Sequence, residues 1–161
     1  MIVVSNTSPI INLAAIGKLD ILKKCFGKIY IPPAVYNEIT VKGRGEPGDI
    51  EVRTFDWIEV VEVKDISLLL LLRKDLDDGE AESIALSIQL ESDLLLLDEF
   101  DARSIASKLR IRFIGLLGVL MRAKESGYIQ KVMPLMNNLR EKAGFWIDEE
   151  LYQYVLNIVR E

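Results

Sequence analysis

Four consecutive leucines, Leu94 to Leu97, stand between Ser92-Asp93 and Asp98-Glu99-Phe100-Asp101. A run so short and so uniformly apolar fits a central parallel strand buried on both faces. Just upstream, Ala81, Ile84, Ala85 and Ile88 recur at i, i+3, i+4 and i+7, which predicts an amphipathic helix entered through the turn Asp77-Asp78-Gly79-Glu80. Helix, buried strand and carboxylates at the strand's exit limit the fold to an α/β sheet, whose ligands sit beyond the carboxyl ends of its strands.

The rest of the chain repeats the alternation. Ile2-Val3-Val4 predicts a first strand, leaving through Ser5-Asn6-Thr7-Ser8-Pro9 into a helix that stops near Gly17, with Ser8 as N-cap and Pro9 at the first helical position. A second helix leads to the strand Lys28 to Ile31, and Pro32-Pro33 primes a helix over Ala34 to Thr40. Three glycines and a proline make Val41 to Asp49 a loop, the segment expected to be most mobile. Ile50 to Trp57 is ambiguous, and Ile58 to Val63 reads as an edge strand. Asp65 caps a helix over Ile66 to Leu76. Ala102 to Leu109 is helical, Ile111 to Ile114 is a last strand, and Leu116 to Ser126 is a helix stopped by Gly127. Two further helices follow; in the last, Leu151, Tyr154, Val155, Ile158 and Val159 form an apolar stripe after an Asp148 cap. The pattern predicts a three-layer α/β/α architecture with a central, mostly parallel sheet. A single domain over residues 1–161 is expected, its C-terminal helices (about 130–161) packed on the core.

Composition removes whole classes of chemistry. The chain has no histidine, which excludes Ser-His-Asp and Cys-His catalysis and most zinc sites. The lone Cys25 excludes an internal disulfide and fits a cytoplasmic location, and the N-terminus has no basic leader of the signal-peptide kind. Half the residues are hydrophobic, yet no apolar run approaches the ~18 residues of a membrane span. The Leu68 to Leu72 run therefore points to a homodimer interface rather than a bilayer. Net charge is −5, but Ala102 to Lys124 carries six basic residues and no acid.

Polar residues expected at the sheet's ligand edge are Asn6, Asp77, Asp78, Glu80, Asp98, Glu99 and Asp101, and Glu38 lies beside the Val35/Ile39 apolar pair of its helix. Each acid taken singly has a structural explanation. Glu80 completes a capping box with Asp77, and Asp98 or Asp101 could cap the helix after Leu97. Several acids at one edge repel one another without a cation, so the group carries more weight than its members. Glu82 lies on the other flank of the Ile84/Ile88 stripe, which leaves Glu80 as the cleft acid. Carboxylate and amide oxygens without His or Cys select Mg²⁺ or Mn²⁺.

Those residues, in order, resemble the PIN-domain nucleases, most closely the small prokaryotic branch related to VapC-type toxin ribonucleases. The matching pieces are Val4-Ser5-Asn6-Thr7-Ser8-Pro9, Ile31-Pro32-Pro33-Ala34-Val35 through Glu38-Ile39, and Leu76-Asp77-Asp78-Gly79-Glu80-Ala81-Glu82 through Leu86. Leu96-Leu97-Asp98-Glu99 through Ala102-Arg103, then Gly115 to Leu120, continue the match. By this resemblance the family's four acidic positions fall on Asn6, Glu38, Glu80 and Asp98, with Glu99 and Asp101 as alternates for the fourth. The resemblance implies Mg²⁺- or Mn²⁺-dependent cleavage of single-stranded or structured RNA, dimers and an antitoxin partner. Asn6 departs from the pattern, since active members mostly carry Asp there; an amide oxygen can ligate Mg²⁺ but brings no charge.

Two functions follow from different classes. The first is a metal-dependent endoribonuclease, toxin-like and weakened by Asn6, with Ser8, Arg103, Lys108, Arg110 and Arg112 positioning nucleic acid. The second is a catalytically impaired nucleic-acid-binding or protein-interaction module on the same fold. A response-regulator-like phosphoacceptor would also gather acids at a sheet edge, but the lysine and hydroxyl partners it needs are not in evident positions.

Overall fold

A computed structural model describes all of residues 1–161. Five parallel strands, β1 (Val3–Ser5), β2 (Ile29–Ile31), β3 (Ile58–Val60), β4 (Leu94–Leu96) and β5 (Phe113–Ile114), lie in the order β3-β2-β1-β4-β5. β1 is central: Val4 pairs with Tyr30 on one side, and Val3, Val4 and Ser5 pair with Leu94, Leu95 and Leu96 on the other. The chain builds outward from β1 through β2 to β3, then crosses back to start β4. The sheet's switch point therefore lies between the ends of β1 and β4, where open α/β sheets bind ligands. β3 is an edge strand, as its exposed acids predicted.

Alternation along these strands divides the interior in two. Val3, Ile29, Ile31, Leu94 and Leu96 face one core, whereas Val4, Leu95 and Leu97 face the other. The first core receives α1 (Thr7–Ala15), α2 (Asp20–Phe26) and α8 (Leu116–Glu125). Buried residues of α9 (Met133–Lys142) and α10 (Glu149–Val159), among them Met136, Leu139 and Val155, join it. The second is covered by α5 (Ile66–Leu72), α6 (Asp78–Gln89) and α7 (Phe100–Lys108). These are the three layers α/β/α. No helix is long and apolar enough to cross a membrane.

Local departures from the sequence reading have physical causes. α1 begins at Thr7, with Asn6 rather than Ser8 in the N-cap position, because Asn6 already has extended backbone angles at the exit of β1. The helix opened by Pro32-Pro33 is α3 (Pro33–Asn37), which widens into a π-helical turn over Glu38–Lys42. Val41 to Asp49 is tied down rather than loose. The buried Asp49 carboxylate accepts the Gly45 N–H at 2.8 Å and pairs with Arg53 at 2.9 Å, opening α4 (Asp49–Thr54) over the stretch the sequence left ambiguous. α6 is buried from Ala81 to Ser87, but Ile88 of the expected stripe is exposed, as is Asp78 in the first turn. In α10 the buried face is Tyr152, Val155 and Leu156. Leu151, Tyr154 and Ile158 of the expected stripe are exposed.

Gly127 ends α8 as its spacing predicted. At φ +79° it lets Tyr128 N–H reach Ala123 O and its own N–H reach Lys124 O, the two bonds of a Schellman stop.

Candidate metal centre

Asn6 leaves β1 at the switch point with its backbone N–H bonded to Leu96 O at 3.0 Å, which locks it to the neighbouring strand. Its side chain is buried and makes no helix-capping bond. Nδ2 instead donates to Glu99 Oε2 at 3.1 Å, and Oδ1 accepts from the buried Ser83 hydroxyl at 3.4 Å. The amide thus ties β1, the exit of β4 and α6 together.

Glu38 enters from the other side. It opens the π-helical turn, a widening that recurs at functional sites. Its Oε2 accepts the Thr7 hydroxyl at 2.8 Å. Between Glu38 and Asn6 lies Gly79, whose missing side chain keeps a space open. A Cβ there would lie 3.0 Å from Glu38 Oε2, 3.3 Å from Asn6 Oδ1 and 3.6 Å from Asp77 Oδ1. Three oxygen donors from three elements therefore border one small cradle.

Glu80 makes the capping bond its spacing predicts. Its N–H donates to Asp77 Oδ1 at 2.8 Å and its Oε1 accepts the Asp77 N–H at 3.1 Å, a closed capping box. Burial pushes its carboxyl pKa up, and the nearby Asp77 and Glu99 charges push the same way against the Asp77 N–H bond. That mutual repulsion is what a cation would relieve.

Asp98 serves a different neighbour. Its Oδ1 accepts the Leu116 N–H at 2.9 Å at the start of α8, and its Oδ2 lies 3.4 Å from the Ser8 hydroxyl. Burial raises its pKa, outweighing the Leu116 N–H, Arg103 and Ser8. Glu99, the alternate, is the acid in direct contact with Asn6. Asp101 is exposed in the first turn of α7, away from these bonds. No three acidic side chains close into a ready cation cage. Asn6, Glu38 and Asp77 border the Gly79 cradle, Glu99 lies on the other side of the Asn6 amide, Glu80 is held in its capping box within electrostatic reach of Glu99, and Asp98 stands beside Ser8 and Leu116.

Of the expected nucleic-acid contacts, Ser8 and Arg103 stand at the cleft. Arg103 Nε donates to Leu97 O at 2.8 Å, and its guanidinium lies over Phe113, 5.3 Å from the ring centroid. Lys108, Arg110 and Arg112 do not reach it. The nine residues of α7 carry the chain roughly 14 Å back toward the sheet's opposite edge, so Lys108 and Arg110 emerge there and Arg112 leads into β5. Thr7, Ser83 and Gly79 were not singled out from the sequence. A serine on the buried side of α6 was the available indication. Glu82, set aside from the cleft, accepts the Ala34 N–H at 3.1 Å and approaches Arg73 at 3.4 Å, so it fastens α6 to α3.

A family model described as a PIN domain matches residues 2–161. The chain belongs to the PIN-domain family. No match to a curated protein or to a solved structure was found. The PIN fold is a nuclease-type fold, and PIN domains generally use divalent metal ions. The donors of this PIN domain fit a small hard cation: all are carboxylate or amide oxygens, and Gly79 keeps open the space they border. The carboxylates supply the negative charge that Asn6 lacks.

Proposed function

We propose that this PIN domain is a Mg²⁺- or Mn²⁺-dependent endoribonuclease. The observation that carries the reading is the convergence of Asn6 Oδ1 and Glu38 Oε2 on the Gly79 cradle, with Glu99 bonded to the other side of the Asn6 amide and within electrostatic reach of Glu80. Asn6, Glu38, Glu80 and Glu99 would hold the cation, and Asp98 would steady the start of α8 at the cleft's margin. Such a cation, when bound, polarises a phosphodiester and lowers the pKa of a water. The chain's own groups do the rest. Thr7 fixes the Glu38 carboxylate, Ser83 and Glu99 fix the rotation of the Asn6 amide, and Arg103 offers guanidinium N–H groups to a phosphate.

Cleavage of a labelled single-stranded RNA in Mn²⁺ tests this. Activity is expected to vanish with EDTA and to fall at least ~100-fold in Glu38→Gln, a loss of about 2.7 kcal/mol of transition-state stabilisation. Cleavage indifferent to EDTA would reject the reading.

A second reading, a non-catalytic RNA-binding module, is favoured by the Asn6–Glu99 bond, because an amide N–H there satisfies a Glu99 oxygen that a cation would otherwise take. RNA binding without cleavage in any divalent metal would select it. We also propose a homodimer through α5, where Ile66, Leu70 and Leu71 are each about 60% exposed. A protomer mass by light scattering at micromolar concentration would count against it. An antitoxin-type partner belongs to the same reading, and toxicity relieved by a co-expressed neighbouring gene product would support it.

A further inference from the structure

Asp98 and Arg103 look two ways. Besides bordering the acid cleft, they and Gly115 line one end of a groove of about 510 Å³ between β5–α8 and the segment entering α10. Leu117 and Met121 form one wall, and Trp146, Leu151 and Tyr154 the other. Trp146 is 80% and Tyr154 61% exposed, although each is large enough to bury. A second groove along α8 shares Ile114, Gly118 and Met121 with the first and adds Arg122 and Arg160.

The cleft's opposite flank has another character. Around Glu38, a groove of about 520 Å³ sets Lys42 and Lys142 against Glu38 and Glu46 and has no aromatic side chain. The exposed rings thus lie on one flank of the cleft only.

We infer that the Trp146–Tyr154 groove takes the unstacked bases of a single-stranded RNA whose backbone crosses the acid cleft. The inference rests on the ribonuclease reading for the placement of the backbone, but the stacking itself needs no cation. Continuity supports this occupant: Asp98 and Arg103 border cleft and groove alike. Charge supports it too, since Arg103 stands at one end and Arg122 and Arg160 outnumber the single acid Glu125 along the continuation, where phosphates would follow the bases. Exposed aromatic faces beside cations are what sequence-tolerant recognition of single strands requires. A duplex keeps its bases stacked and offers none to the groove.

Gly115 keeps the junction open. A Cβ at that position would overlap the Arg103 guanidinium and stand 2.5 Å from Asp98 Oδ1. The backbone must therefore pass close to both, leaving Arg103 held at the groove's mouth by Leu97 O and Phe113.

The test uses the two tryptophans. Trp57 is buried against Phe55, so Trp57→Phe leaves Trp146 as the single, exposed indole. Full-length Trp57→Phe is titrated in EDTA with a uridine oligonucleotide of about ten residues, a length within the range one stacking surface covers, and with the matching duplex. Saturable quenching of Trp146 by the single strand alone is expected. Trp146→Ala and Tyr154→Ala in the wild-type background should each weaken binding, followed by anisotropy of a labelled strand, by about 5- to 150-fold. Trp146→Phe should restore most of the loss. Single-strand binding that leaves Trp146 emission and Trp146→Ala affinity unchanged would overturn the inference. So would no binding at micromolar protein, equal binding of the duplex, or quenching set by protein concentration alone, which would mean that a second copy covers the groove. Failure of the two readings is separable: quenching without any Mn²⁺-dependent cleavage removes the nuclease and keeps the groove, whereas Glu38-dependent cleavage blind to Trp146 does the reverse.

Discussion

Asn6 donates its Nδ2–H to the Glu99 carboxylate across 3.1 Å, while its Oδ1 turns toward Ser83 and the Gly79 cradle. One neutral side chain therefore does two things at the sheet's switch point: it donates a hydrogen bond to an acid on one side and presents an oxygen on the other. An aspartate in its place would face Glu99 with a like charge and depend on a cation for relief.

Asn6→Asp is accordingly expected to shift both stability and metal affinity. Without divalent metal the variant should lose roughly 1–3 kcal/mol, the cost of a buried polar contact removed and a repulsion introduced. Calorimetric titration should show Mn²⁺ binding at least ~10-fold tighter than in the wild type, a gain of about 1.4 kcal/mol. Unchanged Mn²⁺ affinity would mean that Asn6 does not border the cation.

Gly79→Ala separates the cradle from the helix around it. Its Cβ would press on Glu38 Oε2 at 3.0 Å and Asn6 Oδ1 at 3.3 Å. Position 79 is in the first turn of α6, where alanine is at least as good a helix former, so stability should change by less than ~1 kcal/mol. Mn²⁺ binding should fall well below that of the wild type. A variant that binds Mn²⁺ normally would place the ion elsewhere.

Glu80 gives a pH-dependent test. Because its folded pKa is raised, the native state holds its proton more firmly than the unfolded chain, whose glutamate titrates near ~4.3. Stability contributed by this group therefore declines as pH rises from that value through the folded pKa, and the cost persists at neutral pH. Glu80→Gln keeps an oxygen for the Asp77 N–H and removes the charge. In EDTA at pH 7 it should melt about 1–3 °C above the wild type, in line with the ~0.2–1 kcal/mol of partly exposed charge interactions. At pH 4 the difference should disappear, and saturating Mn²⁺ should reverse the order. Equal melting curves at both pH values would contradict this account of the site.

Far from the cleft, Glu161 shows the opposite sign. Burial disfavours its charge, but the Lys124 ammonium at 2.8 Å and the N–H groups of Val132 and Met133 outweigh it and hold the pKa below the usual value. The stability it contributes is present above ~4.3 and lost as pH falls through the folded pKa. Glu161→Gln should cost about 1.5–3 kcal/mol at pH 7, the range for hydrogen bonds to charged groups, and nearly nothing once the wild-type acid is protonated. Urea denaturation at both pH values measures it. A cost independent of pH would show that packing, not charge, is what Glu161 supplies.

Much of the fold could be read from local pattern, because a strand buried on both faces needs an unbroken apolar run and its exit needs polar residues. Leu94 to Leu97 and the Asp77/Glu80 capping box are of that kind, and the structure has both. What local pattern could not provide was distance. Nothing in Pro33 to Lys42 announces a π-helical turn, nor that its first residue, Glu38, meets the distant Thr7 hydroxyl. The basic run from Arg103 to Arg112 looked like one patch in sequence. It is divided by the length of α7, which leaves Arg103 at the cleft and takes Lys108 and Arg110 away from it. Glu99 ranked behind Asp98 because both follow the strand. Only the position of Leu116 shows that one Asp98 oxygen is bonded to the start of α8. The α10 stripe was misassigned for a related reason: Tyr152, Val155 and Leu156 form an equally apolar face, and the neighbouring α8 decided which one is buried.

The central claim, a divalent cation held over Gly79, is tested most directly by anomalous difference density from a crystal of the protein soaked in Mn²⁺. The expected result is a peak within coordination reach of both Glu38 Oε2 and Asn6 Oδ1, with Glu80 or Glu99 completing the shell. A peak at another acid group, or none at a Mn²⁺ concentration that supports RNA cleavage, would contradict it.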